Sequence, residues 1–327
     1  MRSIIKGTGS YLPKKILSND DLATFLDTSD EWITSRTGIR QRHCADPKLE
    51  TTSYMAIKAA EGALSMAKTS PLDLDLILVG TVTPDYRMPT VACMVQEGLQ
   101  AKNAAALDIG AACAGSIYAL SIADAFLKAG KYKNILVVAS ESMSSVIDWQ
   151  DRNTAVLFGD GASAAVVCGN DQDQSGFIDF DLYADGAQQK TIWVKAGGSA
   201  VPIDNQALLE KADKVIMNGR EVFKFAVRAV TEAIQKIIDK NHIATKDIAL
   251  VVPHQANLRI IDAIAERMNV PKDRFLINLD RCANTSAASL LLAYDEASRT
   301  GRIKKGDLIL MLAIGAGFVW GASLYRA

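Results

Sequence analysis

Seven short runs along the chain are apolar almost without interruption: DLDLILVGTV (73–82), AAALDIG (104–110), NILVVAS (134–140), AAVVC (164–168), DIALVVP (247–253), FLINL (275–279) and DLILMLAIG (307–315). A strand with one face in water alternates apolar and polar residues, so unbroken runs predict a sheet covered on both faces. Longer segments between the runs carry helical spacing. In SIYALSIADAFLKAG (116–130) the residues Ile117, Tyr118, Leu120, Ile122, Phe126 and Leu127 go nearly all round the helix, which predicts a buried one. Strands and helices in alternation predict an α/β fold.

The pattern occurs twice. SPLDLDLILVGTVTP (70–84) leads to ALDIGAACAGSIYALSIADAFLKAGKYKNILVVAS (106–140), and IATKDIALVVPHQAN (243–257) leads to LINLDRCANTSAASLLLAYDEASRTGRIKKGDLILMLAI (276–314). Asp75 and Asp247, Cys113 and Asn284, and Gly130 and Gly301 are each 171 or 172 residues apart. Each copy runs strand, helix, glycine, lysine-containing turn, strand. A glycine there suits the left-handed residue that closes a helix. The register predicts a duplicated unit with halves 1–172 and 173–327.

Composition changes this picture mainly by exclusion. The 327 residues hold 36 Lys+Arg against 37 Asp+Glu, a formal charge of −1 that argues against nucleic acid as the main ligand. Cys44, Cys93, Cys113, Cys168 and Cys282 form no CxxC pair and no Cys/His cluster, so neither a disulfide framework nor a metal site is expected. The opening MRSIIKGTGSYLP lacks the apolar stretch of a secretory signal. No uncharged stretch approaches the ~18 residues of a membrane span. A cytoplasmic globular protein is expected.

Ligands of α/β sheets collect at the carboxyl ends of strands, and three reactive side chains fall at such ends. A cysteine in an apolar run is most often a small core residue. Cys113, however, stands at a predicted helix start, whose free N–H groups and dipole favour an anion and are expected to lower the thiol pKa. Of three histidines, His43 and His242 lie in polar stretches, whereas His254 follows an apolar strand and a proline in LVVPHQAN. Asn284 in CANTSAAS would by itself read as a helix cap. Together the three read as a nucleophile with two polar partners.

Seven segments carry a family resemblance: DTSDEWITSRTGIRQR (27–42), AACAGSIYALSIA (111–123), DRNTAVLFGDGASAAVV (151–167), MNGREVFKFAV (217–227), PHQANLRII (253–261), NTSAASL (284–290) and GAGFVWGASL (315–324). In order and spacing the chain resembles the β-ketoacyl-acyl carrier protein synthase III family, initiating condensing enzymes of type II fatty acid synthesis in the thiolase superfamily. The resemblance implies a duplicated five-layer α/β/α/β/α sandwich, a homodimer, and acyl-CoA and malonyl-acyl carrier protein as substrates. It implies no cofactor and no metal. Cys113 would accept the acyl group, His254 and Asn284 would serve decarboxylation, and the backbones of Cys113 and Ala316 would hold an oxyanion. For CoA, Trp32 would stack on adenine opposite Arg152, with Thr28 at the adenine edge and Arg36 on phosphate. Gly219, Phe223, Ala256 and Asn257 would line the pantetheine tunnel, and Lys224, Arg259 and Arg267 would receive the carrier protein.

Three positions depart from the family pattern. Ala283 precedes Asn284 where glycine is usual, and positive φ there would strain it by roughly 1 kcal/mol. LLLAY follows NTSAAS where a proline is common. Met88 stands where the partner subunit often contributes a phenylalanine to the acyl pocket, and methionine, with three rotatable bonds, would make that pocket adaptable. Two other readings stay open: a secondary-metabolism ketosynthase or acyltransferase using the same three residues, and a silent acyl-CoA or carrier-protein binding module.

Overall fold

The structure, a computed structural model, describes residues 1–327. Its strands are β1 Arg2–Tyr11, β2 Lys15–Ser18, β3 Gln41–Cys44, β4 Leu76–Gly80, β5 Ala105–Ile109, β6 Asn134–Glu141, β7 Gly161–Asn170, β8 Gly176–Ala184, β9 Ile192–Val194, β10 Val215–Met217, β11 Leu250–Pro253, β12 Leu308–Gly315 and β13 Val319–Arg326. The helices are α1 Asn19–Ala23, α2 Asp30–Thr37, α3 Thr52–Ala67, α4 Val91–Gly98, α5 Gly115–Lys128, α6 Arg152–Ala155, α7 Asn205–Leu209, α8 Gly219–Lys240, α9 Leu258–Met268, α10 Leu279–Cys282 and α11 Ser289–Arg299. None is long and apolar enough to cross a membrane.

Two sheets share one topology. The first runs β1-β7-β6-β4-β5, and the second runs β8-β13-β12-β11. In each, two antiparallel pairings are followed by a parallel one at the centre, β6 with β4 and β12 with β11. The fifth position of the second sheet is a single parallel bridge between Val251 and Phe275. FLINL, expected as a strand, therefore pairs at one end only. Leu276 N–H reaches Val251 O at 2.9 Å, but Asn278 N–H turns to the Gln255 side chain and Leu279 opens α10.

The apolar strands divide their side chains between two covered faces, as period-two geometry requires. Ile77, Val79, Leu136 and Val138 meet α3 and α4, while Leu76, Leu78, Ile135 and Val137 meet α5 and α11. In the second sheet Ile309 and Met311 join that same central layer, and Leu308, Leu310 and Leu312 meet α8 and α9. The layers read α/β/α/β/α, as the resemblance implies. Each fully buried Leu or Ile contributes roughly 1.5–3 kcal/mol, and both faces of both sheets supply them.

The closing glycines behave alike. Gly130 and Gly301 have φ of +68° and +69°, and the N–H groups of Lys131 and Arg302 bond back to Phe126 O and Ala297 O. These six-to-one bonds satisfy the last helical carbonyls in both copies.

Candidate active site

The central layer brings two strand-to-helix junctions together. A Cβ on Gly115, the first residue of α5, would lie 3.1 Å from the Ala287 Cβ. Beside them opens a cavity of about 840 Å³ whose wall includes Cys113, His254, Asn284 and Ala316. No three His, Cys, Asp or Glu side chains are grouped to hold a metal ion.

Cys113 occupies a 3-10 turn, Ala112–Ala114, directly ahead of α5. The end of β12 presses against this turn. A Cβ on Gly315 would fall 2.7 Å from Cys113 N and 2.9 Å from Ala114 N, so glycine alone lets the backbones meet. Cys113 Sγ has Ser286 Oγ as its hydrogen-bond partner at 3.4 Å. Burial pushes the thiol up to about 11, and Glu141 adds to the rise. The expectation of a depressed thiol is thereby corrected: desolvation of the anion is the largest influence on it.

His254 follows β11, its N–H held by Leu312 O at 2.7 Å. Its Nδ1 lies 2.6 Å from Ser289 Oγ, which also accepts the Gln255 N–H at 3.2 Å. We assign the serine proton to Nδ1 and the ring proton to Nε2. Burial pushes the imidazole down to about 4, so it is neutral at pH 7. Asn284 is held at three points: its N–H reaches Leu157 O at 2.9 Å, its carbonyl accepts Gly159 N–H at 3.0 Å, and its Oδ1 accepts Ser286 N–H at 2.9 Å. With Oδ1 taken, its Nδ2 is the free donor group. Ala283 has φ +57° and ψ −162°, so the strain expected there is present.

Arg36, Gly219, Phe223, Lys224, Ala256, Asn257 and Arg259 line the outer wall of the same cavity. Asn257 is already engaged, capping α9 through Arg259 N–H at 2.9 Å and reaching Arg36 O at 3.2 Å. Trp32, Arg152 and Thr28 lie outside that wall. The Arg152 guanidinium stands 4.8 Å from the Trp32 ring centroid and that of Arg36 5.3 Å. Thr28 Oγ1 is buried without a hydrogen-bond partner. Arg267 shares a shallower depression with Lys224 and Arg228, interleaved with Glu221 and Glu266. Met88 is 83% exposed and is not part of the chain's own cavity wall.

Sequence reading missed several residues that shape the site. Ser286 and Ser289 sit inside NTSAAS, two and five residues after Asn284, and were passed over because hydroxyl roles depend on partners. Glu141 breaks the apolar strand NILVVASE, and an acid at the end of a buried strand is a usable signal. Ile192, Trp193, Val215 and Met217, from the β9–β10 ribbon, form cavity wall that no motif announced.

Comparison with known proteins agrees over the whole chain. Residues 107–186 match the family model for 3-oxoacyl-[acyl-carrier-protein (ACP)] synthase III, and residues 238–327 match that for its C-terminal part. The chain is 49% identical over 322 residues to a beta-ketoacyl-[acyl-carrier-protein] synthase III of Caldanaerobacter subterraneus, covering 98% of this chain and 97% of that one. The crystal structure of 3-oxoacyl-[acyl-carrier-protein] synthase III from Aquifex aeolicus superposes with a TM-score of 0.92 at 47% identity, covering 99% and 100% of the two chains. The priming β-ketosynthase of the R1128 polyketide pathway gives 0.91 at 35% identity, covering 99% and 96%. With two family models spanning both junctions and identity near one half along its length, the chain belongs to the 3-oxoacyl-[acyl-carrier-protein] synthase III family.

Proposed function

We propose that this chain initiates type II fatty acid synthesis by transferring an acyl group from acyl-CoA to Cys113 and condensing it with malonyl-acyl carrier protein. The observation that carries the reading is the meeting of Cys113, a neutral His254 and Asn284 on one cavity wall. Thiol attack on the CoA thioester yields an acyl-enzyme that is itself an activated thioester. Malonyl thioester then loses CO2, and its oxygen gathers charge as an enolate. His254 Nε2–H and Asn284 Nδ2–H stabilise that oxygen without a carboxylate to repel it. The enolate carbon attacks the acyl-Cys113 carbonyl, whose oxyanion is received by the N–H groups of Cys113 and Ala316; the adduct collapses as the C–S bond breaks, and the Cys113 sulfur leaves with the electron pair and takes up a proton from solvent. Products are 3-oxoacyl-carrier protein, CoA and CO2.

The rest of the reading assigns binding. Trp32, Arg152, Thr28 and Arg36 take the nucleotide end of CoA, so Arg152 must swing from its 4.8 Å stack to admit adenine. Gly219, Phe223, Ala256 and Asn257 line the pantetheine path, and Lys224, Arg259 and Arg267 meet the acidic carrier protein. The chain works in the cytoplasm as a homodimer of two-half subunits (1–172 and 173–327), and the exposure of Met88 is what a side chain given to a partner's acyl pocket would show.

Incubation with radiolabelled acetyl-CoA followed by denaturation tests the reading. Label retained by wild type and absent from Cys113→Ala is the expected result, and absence of label from wild type overturns it. Addition of malonyl-carrier protein should then move the label into 3-oxoacyl-carrier protein, which separates a condensing enzyme from an acyltransferase.

A further inference from the structure

Glu141 ends β6 with no exposure to solvent, and no basic side chain bonds to it. A buried carboxylate without a counter-ion costs free energy that a role must justify. Its two oxygens are treated unequally. Oε2 accepts Thr83 Oγ1 at 2.7 Å, Val82 N–H at 3.1 Å and Thr81 Oγ1 at 3.2 Å. Both threonine hydroxyls are oriented from behind: Thr81 Oγ1 accepts the Thr83 N–H at 3.1 Å, and Thr83 Oγ1 accepts the Ser142 N–H at 2.9 Å. Their protons are thereby directed at Oε2, which is saturated. Oε1 has one partner, Ser286 Oγ at 2.9 Å, and that oxygen in turn touches Cys113 Sγ. A serine hydroxyl has one proton and cannot donate to both neighbours. With Glu141 ionised the proton goes to Oε1, and the Ser286 lone pair faces the thiol.

We propose that Ser286 is a further catalytic residue and Glu141 the positioning residue behind it, together carrying the Cys113 thiol proton away as the acyl group arrives. This rests on Cys113 being the acyl acceptor. As the Sγ–acyl bond forms, the thiol proton passes to Ser286 Oγ and the serine proton passes to Glu141 Oε1. In the tetrahedral intermediate both sulfurs are on one carbon. The bond to the CoA sulfur breaks, its electron pair leaves with that sulfur, and the relay run backwards delivers the proton to it. Thiol plus acyl-CoA becomes acyl-Cys113 plus CoA thiol, with Glu141 ionised again and no proton taken up. Burial holds both ends back from charge, the thiol up to about 11 and the carboxyl above its ordinary range, so that one proton is shared between groups that each resist ionising. Asn284 is oriented by the backbone N–H of Ser286, so removing the hydroxyl leaves the decarboxylation donors in place.

Single-turnover acylation by labelled acetyl-CoA, malonyl-thioester decarboxylation, and Cys113 alkylation by iodoacetamide from about pH 6 to about pH 9 test the relay in wild type, Ser286→Ala and Glu141→Gln. His254 is neutral throughout that range, and the basic side chains on the wall, Arg36, Arg220, Lys224 and Arg259, are all exposed. Acylation should fall about 10²-fold or more in both variants, the usual worth of general acid–base help, with decarboxylation within about twofold of wild type. Alkylation should depend less steeply on pH in wild type than in Glu141→Gln, where it should rise about tenfold per unit, as for an unassisted thiol below its pKa. Acylation at the wild-type rate in either variant, a parallel loss of both steps, or a flat alkylation profile in Glu141→Gln overturns the relay. Failure of wild type to take label refutes instead the function on which it rests.

Discussion

β6 and β12 hold the same place in their sheets, next to the antiparallel pair and parallel to β4 and β11. Each ends against the junction of the other half. β12 stops at Gly315, whose bare Cα lets the backbone reach Cys113 N. β6 stops at Glu141, whose carboxylate reaches Ser286 beside Asn284. Even the entry residues match, with Ala112 at φ +43° before Cys113 and Ala283 at φ +57° before Asn284. Duplication thus supplied two equivalent places, and the residue at each strand end, Gly315 or Glu141, decided whether the junction is met by bare backbone or by a carboxylate.

Emptying the first junction is the harshest test of that division. Cys113→Ala should lose covalent acylation completely, by retained radiolabel, yet keep decarboxylating malonyl thioester because the donors belong to the other junction. Persistent label would show that the nucleophile lies elsewhere. Asn284→Ala and His254→Ala should do the reverse. Each should acylate normally while condensation, followed as 3-oxoacyl product, falls about 10²–10³-fold from the loss of one donor. Gly315→Ala removes the bare backbone contact on which the first junction rests. The added Cβ must move the Cys113 turn, and acylation in single turnovers should drop by roughly 10²-fold, the cost of misplacing reacting atoms by about 1 Å.

Two smaller effects concern stability. The folded His254 titrates at about 4 against 6.5 for the free side chain. Between those values the unfolded state binds the proton and the folded state does not, so this residue's contribution makes stability rise with pH across the window and level off above it. Urea unfolding at about pH 5 and about pH 7 should show a smaller difference in His254→Gln than in wild type; an equal difference would mean the imidazole is solvated. Ala283→Gly should relieve roughly 1–3 kcal/mol of backbone strain and forfeit about 0.8 kcal/mol of methyl burial. Glycine's greater unfolded-state freedom costs a further ~0.4–1 kcal/mol, so calorimetry should show Tm nearly unchanged, while Ala→Gly at an unstrained buried site lowers it.

Much of this was legible in advance, and unevenly. The repeat was visible because Cys113 and Asn284, like Gly130 and Gly301, carry the same local requirement at one spacing. FLINL misled because five apolar residues describe a strand and a buried turn equally well; its outcome was set by the Gln255 side chain bonding Asn278 N–H and Leu276 O. The thiol misled for a different reason. A helix start is a local feature and favours the anion, but burial depends on what packs over it, and that came from the other half of the chain.

By itself the sequence determined the layers, the duplication and the placing of Cys113, His254 and Asn284 at strand ends, because these follow from periodicity and from motifs a few residues long. Tertiary structure alone decided which of them are charged and what they touch. Ser286 meets Cys113 across 173 positions of chain and Glu141 across 145, and Gly315 meets Cys113 from the far end of another strand. Hydrogen bonds and desolvation act only between atoms in contact, and no pattern along the chain states which distant atoms those will be.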